Sequence, residues 1–351
     1  MTSKVRESLL YRKKALMIPH TIPTWQHKSW QEQLTNQITK PADLLSRLSL
    51  DNQWLPAAER AAALFPLRVS EAFVSRMRPG DPNDPLLLQV LPLEQEFAVT
   101  PGYSEDPLEE EKSNPAPGLI HKYHGRVLLI AAPHCAINCR YCFRRHFDYR
   151  QNTPSRTEWQ AALAYIKTRP EIDEVILSGG DPLMLGDKQL RWLLTEIDAI
   201  PHITRIRIHS RLPVVLPDRF TSTLLELLSS ARAQMVVVAH CNHSQEIDQS
   251  VEAVFEALKQ AGITLLNQTV LLKNINDSAN ILIELSKRLF QSGVLPYYLH
   301  LLDRVSGTAH YEVDELDARR LREELLAQLP GYLVPTLVKE EPGAPSKTPI
   351  R

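Results

Sequence analysis

The 351-residue sequence contains no stretch approaching the roughly 20 consecutive apolar residues that a membrane-spanning helix needs. Its opening, Met1-Thr-Ser-Lys-Val-Arg-Glu7, carries charge but no unbroken apolar core of secretory-signal length. Charge of one sign is also missing. The formal net charge is −1, so no overall field points to nucleic acid or a membrane surface as a partner. Only four cysteines are present, too few for a disulfide-built scaffold and suited to a reducing compartment. Neither an internal repeat nor a low-complexity tract occurs. These absences predict a soluble cytoplasmic protein. Its 43% apolar and 23% charged residues can build a large core, as one large α/β domain or two smaller ones.

The cysteines that are present are not spread out. Three fall in Cys135-Ala-Ile-Asn-Cys139-Arg-Tyr-Cys142, a C-x3-C-x2-C spacing just after the strand-like run Arg126-Val-Leu-Leu-Ile-Ala-Ala132, while Cys241 stands far downstream. Thiolates gathered this closely repel one another unless a metal or oxidation relieves them. A disulfide would leave one of the three unpaired. Structural zinc takes four ligands, usually as two separated pairs, and His134 and His146 are too near in sequence to supply the second pair. An iron–sulfur cluster held by three thiolates leaves one iron open to a further ligand. The spacing favours the cluster and leaves zinc as its rival.

Residues 1–40 are polar and of mixed sign, with Trp25 and Trp30 in a segment expected to dock as a helix. Residues 42–78 read as helical, broken at Pro56 and Pro66, and Pro79-Gly-Asp-Pro-Asn-Asp-Pro85 can only turn. Residues 101–118 repeat that loop character, and their acidic run Asp106-Pro-Leu-Glu-Glu-Glu-Lys112 reads as a solvated loop. From residue 126 β-branched and apolar runs near 127–130, 174–177, 203–208, 235–239, 263–272 and 295–302 alternate with six helical stretches, near 157–168, 187–199, 219–231, 246–261, 277–292 and 314–328. Such alternation predicts a parallel sheet with crossover helices, two units short of a closed eight-fold barrel. Periodicity alone does not separate an open barrel from a doubly wound sheet. The chain divides into a mainly helical region (1–100), a core (101–330) and a C-terminal segment (331–351).

Chemistry in such folds collects at the carboxyl ends of strands. The cysteine loop, Ser178-Gly-Gly-Asp181, His209-Ser-Arg211, His240-Cys-Asn-His243, Asn267-Gln268 and His300 to Asp303 all sit there. Gly179-Gly180 permits positive φ and close approach of a ligand to the backbone, although an isolated pair is an ordinary turn. Lys347 is a lysine of the kind that is usually frayed and solvated. The apolar, proline-rich stretch before it would nevertheless let the tail return to the core. A lysine buried there would have a depressed pKa and could react with an aldehyde.

Cys135–Cys142, Arg144, Ser178-Gly-Gly-Asp-Pro-Leu183, Ser210-Arg-Leu-Pro-Val-Val215, Leu266–Leu272, Pro296-Tyr-Tyr-Leu-His300 and Gly343-x3-Lys347 together resemble the lysine 2,3-aminomutase family of radical S-adenosylmethionine enzymes, over roughly residues 90–350. The resemblance implies a partial (β/α)6 TIM-like barrel with an N-terminal helical region and a C-terminal tail returning to the active site. Cys135, Cys139 and Cys142 would hold a [4Fe–4S] cluster. Ser178, Gly179, Gly180, Asp181 and Gln268 would serve S-adenosyl-L-methionine. Lys347 would attach to the aldehyde of pyridoxal 5′-phosphate, with Arg126 and Lys122 at its phosphate. Arg144 would hold the substrate carboxylate in bidentate fashion, and Asp303 and Glu340 the ε-ammonium of L-lysine. Family members often have arginine at the Lys122 position and more usually aspartate at Glu340. The motif set is nearest to members that make (R)-β-lysine for elongation factor P. That branch implies an electron donor such as flavodoxin or ferredoxin, a functional link to the elongation factor P ligase, and a smaller assembly than longer-chain relatives. A radical aminomutase for glutamate or another amino acid, and a non-catalytic zinc-stabilised binding module, are the competing expectations.

Overall fold

The computed structural model describes residues 28–147 and 155–351; Trp25 lies outside the described residues. The alternation expected from residue 126 onward is present. Strand β1 (Leu119–Tyr123) leads into β2 (Arg126–Ala132), β3 (Glu174–Gly179), β4 (Arg205–Ser210), β5 (Gln234–His240), β6 (Thr264–Val270), β7 (Leu295–His300), β8 (Thr336–Lys339) and β9 (Thr348–Pro349). They form one sheet in chain order. Strands β2 to β8 are parallel, and β1 and β9 pair antiparallel at its two edges. The edge strands do not pair with each other, so the sheet is a partial barrel. The apolar stretch after residue 330 supplies β8, a seventh parallel strand beyond the six legible ones. No helix among the described residues is long and apolar enough to cross a membrane.

Strand parity decides what each face holds, because alternate side chains point to opposite faces. Val127, Leu129, Val175, Leu177, Ile206, Ile208, Val237 and Ala239 share one parity and are buried in the main core under the helices. The other parity (Arg126, Glu174, Ser178, Arg207, His209, His240, Gln268, His300) lines the barrel interior. One face is thus a hydrophobic seat, and the other lines a chamber in which charged and histidine side chains stand among apolar ones such as Ile176 and Leu266.

Among the described residues four short helices, α1 (Trp30–Thr35), α2 (Pro41–Arg47), α3 (Leu55–Leu64) and α4 (Glu71–Val74), precede the sheet. The crossovers are α5 (Arg156–Lys167), α6 (Asp187–Asp198), α7 (Leu212–Val215) with α8 (Ser222–Ser229), α9 (Gln249–Gln260), α10 (Ala279–Gln291) and α11 (Glu315–Gln328). Their starts follow capping rules. Ser155 and Glu158 form a capping box on α5, and Thr221, Asp248 and Asp314 cap α8, α9 and α11. In α6 the buried residues Leu190, Leu193, Leu194 and Ile197 fall on one stripe.

Two expectations need correction. Pro56 does not break a helix; it stands in the first turn of α3, where a missing N–H costs nothing. The acidic run is not simply solvated. Leu108 and Glu110 are buried, and a short 3-10 turn spans Glu110–Ser113.

The region before the sheet clamps the cysteine loop. Asn138 N–H donates to Arg68 O at 2.9 Å and Arg140 N–H to Gln89 O at 2.9 Å, while Arg68 Nη1 donates to Cys135 O at 3.1 Å. Arg140, fully buried, is held by Glu96 through Nε at 2.8 Å and Nη2 at 2.5 Å, and Arg145 reaches the same carboxylate at 2.7 Å. A buried charge demands such pairing.

On its other side the loop is seated by the glycine pair. Gly180 N–H donates to Ala132 O at 2.8 Å and Asp181 N–H to His134 O at 3.0 Å. A Cβ on Gly180 would fall 2.5 Å from His134 O and 2.6 Å from its N, and Gly179 sits at φ +112°. What approaches this backbone is therefore the chain itself, not only a ligand. Gly180→Ala is expected to destabilise the fold by about 3 kcal/mol. Gly331→Ala, where a Cβ meets nothing within 4 Å, should change stability by under about 0.5 kcal/mol. Urea unfolding of both variants checks the difference.

Candidate active site

The polar face of the sheet opens into a cavity of about 520 Å3. Every residue given a cofactor or substrate role above lines it: Lys122 and Arg126 from β1 and β2, Cys135, Cys139, Cys142 and Arg144 from the loop after β2, Ser178 to Asp181 after β3, Gln268 on β6, Asp303 after β7, and Glu340 and Lys347 flanking the turn between β8 and β9. Cys241 is buried in the core, outside this lining, with its Sγ 3.3 Å from His243 O.

The three loop thiols share one wall and influence one another electrostatically. Burial pushes Cys135 well above its usual value, reinforced by Asp181 and the other two thiols, and pushes Cys142 up to about 11. Cys139 instead receives a guanidinium: Arg211 Nη1 donates to its Sγ at 2.7 Å. Arg211 is itself fixed by Gln89 Oε1 at 2.5 Å and Glu246 at 3.2 Å. Among the described residues no three His, Cys, Asp or Glu side chains converge on a single-ion site.

Asp181 is an organiser of backbone. Its carboxylate accepts Ser210 Oγ–H at 2.8 Å and the N–H groups of Leu183, Arg211 and Leu212 at 3.1, 2.8 and 3.2 Å. It thereby ties the loop after β3 to the loop after β4. Burial raises it to about 6 despite these donors.

At the far end of the cavity three carboxylates meet three cations. Lys347 is ion-paired with Glu340, whose other oxygen accepts Tyr123 Oη–H at 3.2 Å and lies 3.7 Å from Lys122 Nζ. Burial would push Glu340 up, but Lys347 and then Lys122 outweigh it and hold the carboxyl at about 2. Asp303 goes the other way. Burial, reinforced by Glu340 and Glu110 and opposed by Lys347 and Lys122, raises it to about 7. Arg144 makes a two-pronged pair with Glu110, Nε and Nη2 each donating at 2.8 Å. The fork expected to meet a substrate carboxylate thus already has one edge on a residue of the acidic run, which sequence reasoning passed over.

Three imidazoles complete the wall. Burial keeps His209 and His300 neutral, well below the usual histidine value, and takes His240 to about 3. The Nε2 atoms of all three, with Arg207 Nε, are buried without a partner among the described residues. Buried polar atoms rarely stay unpaired, so a wall carrying four of them is built for a polar ligand.

The Radical SAM superfamily pattern matches residues 129–285. The chain is 50% identical over 331 residues to L-lysine 2,3-aminomutase of Escherichia coli (strain K12), covering 94% of this chain and 96% of that one. It is 47% identical to L-lysine 2,3-aminomutase of Haemophilus influenzae, over 92% of this chain and 96% of the relative. The match to the protein of the same name from Buchnera aphidicola is 48%, over 92% and 95%. A thiol triad at the mouth of a partial barrel and near full-length identity at this level lead to one conclusion: the chain belongs to the lysine 2,3-aminomutases, radical S-adenosylmethionine isomerases that work with a [4Fe–4S] cluster and S-adenosylmethionine.

Proposed function

We propose that this enzyme converts L-α-lysine to (R)-β-lysine in the cytoplasm with pyridoxal 5′-phosphate as a further cofactor, that a flavodoxin- or ferredoxin-like donor reduces it, and that its product serves the ligase that modifies elongation factor P. The observation that carries the reading is the reach of Lys347. The pairing of β9 on β8 brings an amine from the tail into the same cavity as the thiol triad.

Cys135, Cys139 and Cys142 would hold the cluster, and the carbonyls of the Gly179-Gly180 turn with Gln268 would meet S-adenosylmethionine. Lys122 and Arg126 suit the phosphate of pyridoxal phosphate and Lys347 its aldehyde. The unpartnered histidine nitrogens fit the polar rim of such a ligand. When bound, the cluster and S-adenosylmethionine supply a carbon-centred radical, and pyridoxal phosphate supplies the carrier on which an amino group can pass between neighbouring carbons. The protein's own part is to bind, orient and exclude water. Arg144 takes the α-carboxylate. Asp303 and Glu340 receive the ε-ammonium, so their separation from Arg144 measures side-chain length. The barrel wall limits the access of solvent to a radical.

Two acids at the side-chain end favour a cationic amino acid over glutamate.

Anaerobic reconstitution with iron, sulfide and pyridoxal phosphate, then incubation with S-adenosylmethionine, dithionite and L-lysine and chiral analysis of the products, tests the reading. (R)-β-lysine is expected, and zinc without iron or activity on glutamate alone overturns it. Lys347→Ala should abolish pyridoxal absorbance and keep the iron–sulfur chromophore; equal loss of both contradicts the role of Lys347. Because a cation needs Asp303 ionised and its carboxyl lies at about 7, lysine affinity should fall as pH drops below 7. The fall should approach tenfold per unit. In Asp303→Asn the profile between pH 5 and 8 should flatten, as read by calorimetric titration.

A further inference from the structure

We propose that Glu110 is the positioning residue for substrate recognition, the carboxylate that sets the plane of Arg144 and decides which edge of its guanidinium a substrate meets. The inference rests on the reading of Arg144 as the α-carboxylate anchor and deepens it.

An arginine can receive carboxylates on two edges, Nε with Nη2 or Nη1 with Nη2. Glu110 claims the first, with two 2.8 Å bonds from Nε and Nη2. A second carboxylate must then be received on the Nη1–Nη2 edge. Nη1 already donates to Ser178 Oγ and Gly179 O, 3.3 Å from each, at the carboxyl end of β3, so a carboxylate received there shares or displaces those acceptors. The direction of approach for an amino acid is therefore set by Glu110 before it binds.

Glu110 is not a swinging surface acid. It is 5% exposed and Arg144 7%. Its segment is pinned on the N-terminal side: Leu108 is buried and its carbonyl accepts Lys122 Nζ–H at 3.2 Å, and Glu110 N–H donates to Asp106 Oδ1 at 3.3 Å. Residue 109 adopts φ +48°, a left-handed turn that aims the next side chain inward. Lys122 Nζ lies 3.8 Å from Glu110 Oε1. One carboxylate thus stands between the cation proposed for the substrate carboxylate and a cation proposed for the cofactor phosphate, and holds both in register. Outer partners that orient a ligand-holding group typically matter by 10- to 100-fold in affinity, the range measured at metal sites.

The test compares L-lysine with L-lysinamide, which lacks the carboxylate, on pyridoxal-phosphate-loaded enzyme, by calorimetric binding and by the KM and kcat of lysine turnover. Wild-type enzyme should prefer lysine. Glu110→Ala should weaken lysine binding about tenfold or more and leave lysinamide binding nearly unchanged, so the preference collapses. KM should rise while kcat changes little. Glu110→Gln keeps an acceptor in place and should give an intermediate preference, which keeps the proposal testable if the alanine variant folds poorly. An equal loss for both ligands would make Glu110 a structural brace, and tighter lysine binding would make it a competitor for the fork; either result overturns the proposal. No preference in the wild type would instead overturn the reading of Arg144.

Discussion

Strands β1 and β9 share no backbone hydrogen bond, yet the two ends of the sheet meet at one carboxylate. Glu340, just past β8, takes Tyr123 Oη–H and the charge of Lys122 from β1, and the charge of Lys347 from the tail. A carboxylate buried there without those partners would be protonated or expelled. With them it stays ionised and joins chain segments far apart in sequence. Closure, the position of the tail lysine and the balance of the cavity's charges all depend on it. Since this seam is made of side chains, parting it breaks no ladder of the sheet.

The chamber behind the seam follows from parity. Seven parallel strands present one apolar face to the helices, and their other face must hold something polar or be filled with carbon. This chain does the former, with neutral imidazoles and paired charges. Burial explains the opposite fates of its carboxyls. Asp303, which makes no ion pair among the described residues, is raised by burial towards neutrality, whereas Glu340, with Lys347 against it, stays ionised.

Much of this was legible before any coordinates. The two-residue and 3.6-residue periods gave the strands and crossover helices within a few residues, because a sheet buried on one face leaves a strong pattern. The cysteine spacing was legible because few other constraints gather thiols. Lys347 was not legible from composition; only its resemblance to a family motif raised it above a frayed tail, and the reason it is ordered, two residues pairing on β8, is too short a signal to read. Glu110 was hidden by its neighbours, since an acidic run looks solvated and nothing local says that one of its side chains turns inward. The glycine pair was noticed only for the approach of a ligand; His134, brought close by the fold, also occupies the space a Cβ would need. Pro56 misled because a proline that ends one helix and a proline that starts another look alike without the cap.

The loop that bears the three thiols is braced by Arg68, Gln89, Glu96 and Gly180, none of them a thiol. Its geometry is therefore set partly at a distance, and a substitution at any of these four positions would shift the cysteines without touching them.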